Sequence, residues 1–122
     1  MAPKTTADLA LTEKQFQGQV LDLARLFGWR AYHTFDSRRS AAGFPDLVMV
    51  RDGRLIFAEL KATAGRISAD QFAWMQALQE AEEYANPSHP GVDVYDDGKP
   101  KIPVRYCLWR PADWAEIEEI LR

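Results

Sequence analysis

Two acids and a lysine, Asp46, Glu59 and Lys61, stand within or beside the apolar runs of the stretch GFPDLVMVRDGRLIFAELK, which extends from Gly43 to Lys61. Two apolar runs within it, Leu47 to Val50 and Leu55 to Leu60, are separated by Asp52-Gly53. That dipeptide suits a two-residue type I′ hairpin turn, because both central residues of the turn need positive φ. With Asp52 and Gly53 as the loop, Arg51 faces Arg54 and Asp46 faces Glu59, with Cβ atoms roughly 4.5–5.5 Å apart. Lys61 follows Glu59 by two residues and so shares its face. A bulged three-residue loop would slip the register by one and separate the acids. Paired carboxylates in apolar surroundings repel each other and lose hydration, which costs on the order of several kcal/mol or forces a proton onto one of them. A divalent cation removes the conflict. Mg²⁺ and Mn²⁺ favour oxygen ligands, so neither His nor Cys is needed.

The elements that position these residues can be read in order. Residues 1–10 have no strong pattern and are expected to form a loose arm. Thr12 to Gln15 reads as a capping box opening a helix, with apolar positions at Phe16, Val20, Leu23, Ala24 and Phe27 and a natural stop at Gly28. Glu13 lies in its first turn, where an acid taken alone reads as a solvated partner of the helix dipole. Trp29 to Phe35 reads as a strand. His33 on it could meet a substrate, although a lone strand histidine is more often structural. A polar loop follows, in which Arg38 and Arg39 are placed to grip phosphate and read equally well as two solvated arginines. Both faces of the hairpin are apolar, with Val48, Val50, Leu55 and Phe57 on the acid-bearing face and Leu47, Met49, Ile56, Ala58 and Leu60 on the other. Central strands covered on both sides are expected. Ser68 to Gln71 is a second capping box, opening a helix that runs to about Tyr84 with Phe72, Met75, Leu78 and Ala81 facing inward. Residues 85–103, rich in Pro, Asp and Gly, read as a loop or insertion. Val104 to Trp109 is a strand, and Pro111 starts a last helix ending near Leu121. The order α-β-β-β-α-β-α around one mixed sheet gives an α/β fold.

Composition bounds the rest. The 122 residues, of which 47% are hydrophobic, fit one domain spanning 1–122. The one cysteine, Cys107, falls in an apolar run and reads as a buried strand thiol, which excludes a disulfide framework or a zinc cluster within the chain. No secretion signal, lipidation pattern or long apolar run is evident, so no membrane association is expected and a cytoplasmic location is. The formal net charge of −3 argues against a general nucleic-acid binder. Its distribution argues the other way: residues 25–66 carry a local net of +4 and the remainder −7. A polyanion held at one place fits that asymmetry.

Pro45-Asp46, then Glu59-Leu60-Lys61 after a hairpin, preceded by a helix bearing Glu13, resembles the PD-(D/E)XK nuclease superfamily, with its restriction-endonuclease-like core. Within it, Gly43-Phe44-Pro45-Asp46-Leu47, Glu59-Leu60-Lys61, Gln71 and Trp109-Arg110-Pro111 look like the VRR-NUC branch in its stand-alone viral and bacterial form. The resemblance implies a metal-dependent deoxyribonuclease. In it Asp46, Glu59 and the backbone carbonyl of Leu60 bind Mg²⁺ or Mn²⁺, and Glu13 completes the metal environment directly or through water. It implies that Lys61 orients or activates water and that Gln71 positions the site. It also implies a structure-selective endonuclease acting on junction or flap DNA in replication, repair or recombination, in the cytoplasm of a bacterial cell or phage-infected host. The segment 85–103 is longer than that family's connection there, which bears on substrate preference more than on chemistry.

Physical chemistry agrees. Phosphodiester hydrolysis needs an activated water, neutralisation of a non-bridging oxygen and help for the leaving oxygen, and carboxylate-held cations supply these. A chain this small offers little surface to a branched DNA, so a homodimer is expected, as the resemblance also implies. The alternative is a catalytically silent nuclease-fold module for DNA binding or assembly. The intact Asp46, Glu59 and Lys61 count against it, and a purely structural ion-pair network would retain net negative charge.

Overall fold

A computed structural model of the chain describes residues 11–35, 40–85 and 104–122. The expected elements are all present: α1 (Glu13–Leu26), β1 (Arg30–His33), β2 (Leu47–Arg51), β3 (Arg54–Leu60), α2 (Ala69–Tyr84), β4 (Val104–Trp109), a 3₁₀ turn (Pro111–Asp113) and α3 (Trp114–Leu121). The arm at 1–10 and the segment 86–103 lie outside the described residues.

Local chemistry sets the boundaries. In α1 the Gln15 N–H donates to Thr12 Oγ1 at 3.1 Å and the Thr12 N–H to Gln15 Oε1 at 2.9 Å, which closes the capping box. At its other end Gly28 takes φ +84°. There the Trp29 N–H donates to the Ala24 carbonyl and the Gly28 N–H to that of Arg25, a Schellman ending that requires the left-handed residue. Asp52 and Gly53 both have positive φ, 49° and 77°, as the two-residue turn demands. The hairpin therefore pairs in the expected register, from Arg51↔Arg54 to Leu47↔Ala58.

The sheet has the order β1-β2-β3-β4, with the first three strands antiparallel and β4 parallel to β3. A parallel neighbour needs a crossover, and α2 lies within it. One face of the sheet, with Leu47, Met49, Ile56, Ala58, Leu60 and Trp109 buried, packs against Phe16, Val20 and Ala24 of α1 and Ile117 and Leu121 of α3. This is a mixed sheet flanked by helices, an α/β fold consistent with a restriction-endonuclease-like core. Cys107 is buried in β4 and burial pushes its thiol up to about 12, so it stays protonated as a core group.

The other face departs from expectation. Its apolar residues predict cover on both sides, yet Val50 is 45% exposed and Val48, Leu55 and Phe57 are only partly buried. No residue of α2 is buried: Phe72 is 47% exposed, Ala81 is exposed, and Met75 and Leu78 are half-buried. The helix packs on β4, while Phe44 bridges edge-on to Trp74 of α2 and to Phe57 of β3. Among the described residues, nothing covers this face over β1 and β2.

Candidate metal centre

Asp46 lies one residue before β2, in a segment fixed from several sides. The Thr34 N–H donates to the Asp46 carbonyl at 2.8 Å and Thr34 Oγ1 to the Pro45 carbonyl at 2.6 Å, tying the segment to the end of β1. The strand ladder stops at Leu47↔Ala58, one step short of the expected Asp46–Glu59 pair. In place of a further backbone pair, Asp46 Oδ2 accepts the Leu60 N–H at 2.8 Å. The carboxylate is thereby drawn across to β3 and toward Glu59.

Glu59 is buried, with 1% of its surface exposed. Its Oε1 accepts a hydrogen bond from Gln71 Nε2 at 3.3 Å and lies 3.9 Å from Lys61 Nζ. Lys61, also buried, reaches Glu13 Oε1 at 3.7 Å. One carboxylate oxygen from each of Glu13, Asp46 and Glu59 falls within 4.8 Å of the others. Gln71 serves two ends at once. Its Oε1 accepts the Ser68 N–H and its backbone N–H donates to Ser68 Oγ, closing the α2 capping box, while its Nε2 holds Glu59.

Burial, then the hydrogen bond and charge of Asp46, push the Glu59 carboxyl up from 4.5 to about 9, and Lys61 offsets this only in part. Without a cation, the Glu59 carboxyl beside Asp46 is thereby held in its protonated form at neutral pH. Three carboxylates against one ammonium, all hard oxygen donors, match a divalent cation of the Mg²⁺ type.

A family model described as the VRR-NUC domain matches residues 8–94. The chain belongs to the VRR-NUC family. No curated protein and no solved structure matches it. The family is one of nucleases, so the chain carries a nuclease domain whose substrate is DNA. The VRR-NUC match takes in Glu13, Asp46, Glu59, Lys61 and Gln71, and ends before β4.

Other residues singled out from the sequence fall differently. His33 is exposed at the end of β1, pairs across to Leu47 and sets its ring 5.5 Å from that of Phe35, outside the acidic group. Arg38 and Arg39 lie outside the described residues. Arg51 and Arg54, counted in the basic zone, are consumed elsewhere. Both stack on Trp29, at 4.7 and 5.0 Å, and donate to carbonyls at the ends of the helices.

Two supports of the acidic cluster carry no direct signal of that role in the sequence pattern. Arg110 Nη1 donates to the carbonyls of Ala62, at 2.9 Å, and Gly65, at 2.6 Å, pinning the connection between Lys61 and α2. Gly43, at φ +83°, presses its Cα onto the first turn of α2, where a Cβ would overlap the Asp70 carbonyl and the Gln71 amide. A glycine two residues before Pro45 was the available signal for the second. In the sequence Trp109-Arg110-Pro111 stands out only as a motif, because the partners of Arg110 are 48 and 45 positions away.

Proposed function

We propose that this protein is a Mg²⁺- or Mn²⁺-dependent DNA endonuclease that works as a homodimer on branched DNA, junctions or flaps, in replication, repair or recombination. The observation that carries the reading is the convergence of Glu13, Asp46 and Glu59 within 4.8 Å around Lys61.

Asp46, Glu59 and the Leu60 carbonyl would hold the cation, with Glu13 completing its surroundings. When bound, it supplies Lewis acidity at a non-bridging phosphate oxygen and lowers the pKa of a bound water. The protein's own share is positional. The Leu60 N–H fixes one oxygen of Asp46, and Gln71 fixes one oxygen of Glu59. Lys61, tied to Glu13 and Glu59, presents a point charge that can orient the attacking water and stabilise charge developing on the phosphate. Restrained side chains need little reorganisation as the reaction proceeds, which is what electrostatic stabilisation requires.

The test is cleavage of duplex, single-strand, flap and four-way DNA in Mg²⁺ or Mn²⁺ by the wild type, Asp46→Ala and Glu59→Ala. Cutting of branched substrates by the wild type and loss in both variants is the expected result. Undiminished cutting by the purified variants would remove the assignment, and metal-independent binding without cutting by the wild type would make the chain a silent module.

A further inference from the structure

The half of the sheet that no other described residue covers adjoins the acidic cluster and has a composition of its own. The pairs Arg30↔Val50 and Tyr32↔Val48 set these four residues on one face of β1 and β2. Val48 lies two residues from Asp46 on the same face, and Tyr32 lies two residues from Thr34, which holds the Asp46 carbonyl. At roughly 3.3 Å per residue, Tyr32 is about 7 Å along the strand from the level of the cluster. A shallow groove of about 440 Å³ at this edge is lined by Arg25, Arg30, Tyr32, Val48 and Val50 among others, and among the described residues no acid lines it. Tyr32 is 56% exposed.

The two arginines differ from those at the hairpin turn. Among the described residues neither Arg25 nor Arg30 has an ion-pair partner, whereas Arg51 and Arg54 are committed to backbone carbonyls. An exposed aromatic ring on a platform of two valines, flanked by uncommitted guanidinium groups, has what an unpaired nucleotide strand requires: a flat apolar surface for a base and cations for its phosphates. A duplex keeps its base faces stacked inside and would use the arginines alone.

Resting on the nuclease reading, we propose that the β1 edge is the track by which an unpaired DNA strand enters the acidic cluster, with a base stacked on Tyr32 and backbone phosphates held by Arg25 and Arg30. The substrate class of the site is thereby DNA with a single-stranded portion beside the scissile bond.

The experiment measures binding by fluorescence anisotropy in EDTA, so that nothing is cut, using labelled oligothymidylate and a blunt duplex of equal length. Tyr32→Ala should weaken single-strand binding between about fivefold and a hundredfold, the range expected for one lost base stack, and change duplex binding less than about twofold. Tyr32→Phe should restore it, since the ring and not the hydroxyl stacks. Arg30→Ala should weaken both ligands and reduce the slope of log affinity against log salt by about one. Single-strand binding unchanged in both Tyr32→Ala and Arg30→Ala, with wild-type cleavage intact, overturns the track while leaving the nuclease. A lower mass of Tyr32→Ala in sedimentation equilibrium, with DNA affinity retained, makes this face a contact between two copies and also overturns it. A wild type that neither binds nor cuts DNA removes the nuclease reading and the track together.

Discussion

Glu59 concentrates the electrostatic problem of this chain, being a buried carboxyl beside two other acids and one lysine. Its folded-state pKa, pushed up to about 9 from 4.5, means that the native chain binds more protons than the unfolded chain between those values. The stabilisation is complete below the unfolded pKa and is lost as pH rises through the folded one. In EDTA the melting temperature should therefore fall from about pH 6 to about pH 9, and Glu59→Gln should flatten that slope. A wild-type melting temperature that holds steady or climbs over the interval contradicts this account. Asp46 gives a complementary test. An asparagine there can still accept the Leu60 N–H and can donate to Glu59, relieving like-charge repulsion. Asp46→Asn is expected to melt higher than wild type without metal, and Mg²⁺ is expected to raise the melting temperature of the wild type but not of the variant. Calorimetry with and without Mg²⁺ measures both, and an undiminished Mg²⁺ shift would rule out Asp46 as a ligand.

At the scale of elements, the first turn of α2 is where the site is assembled from outside the hairpin. It supplies Gln71 to Glu59, and it is held by Gly43 beneath it and by the loop that Arg110 pins. Gly43→Ala forces a side chain into backbone at a left-handed φ, and should cost about 1–3 kcal/mol in denaturant unfolding. The folded fraction should also lose kcat, because Gln71 moves with the turn. Full activity per folded molecule would show that the Gln71 contact is dispensable. These contacts also mark what could be read from the sequence. The register was legible because Asp52-Gly53 dictates its own turn geometry, and both capping boxes were legible because their partners are three residues apart. The burial of α2 was misread for an identifiable reason. Phe72, Met75, Leu78 and Ala81 recur every three residues, so each step falls about 60° short of a full turn and the stripe winds round the helix instead of facing one surface. Arg110 was illegible as a support, since no periodicity relates it to Ala62 and Gly65.

Across the whole molecule the sheet divides its labour between two ends. The acids gather where β2 begins and β3 finishes, while the hairpin turn at the other end, about 17 Å away along five residues of strand, carries the mechanical brace. There Arg51 donates to the carbonyls of Phe27, Leu121 and Arg122 and lies over Trp29, whose Nε1 donates to Leu121 as well. One guanidinium thus joins the end of α1, the end of α3 and the hairpin, satisfying helix-terminal carbonyls that have no partner within their own helices. Of the basic zone read from the sequence, Arg51 and Arg54 therefore hold the fold, whereas Arg25 and Arg30 have no ion-pair partner among the described residues. Arg51→Met keeps an apolar stem against Trp29 and removes the donors, and should lower unfolding free energy by about 2–4 kcal/mol. Because the acidic cluster is at the opposite end and shares no contact with Arg51, kcat per folded molecule should stay within about twofold of wild type. Urea unfolding followed by cleavage assays in Mn²⁺ tests both halves, and a loss of kcat with stability unchanged would mean that the two ends are coupled and the division is wrong.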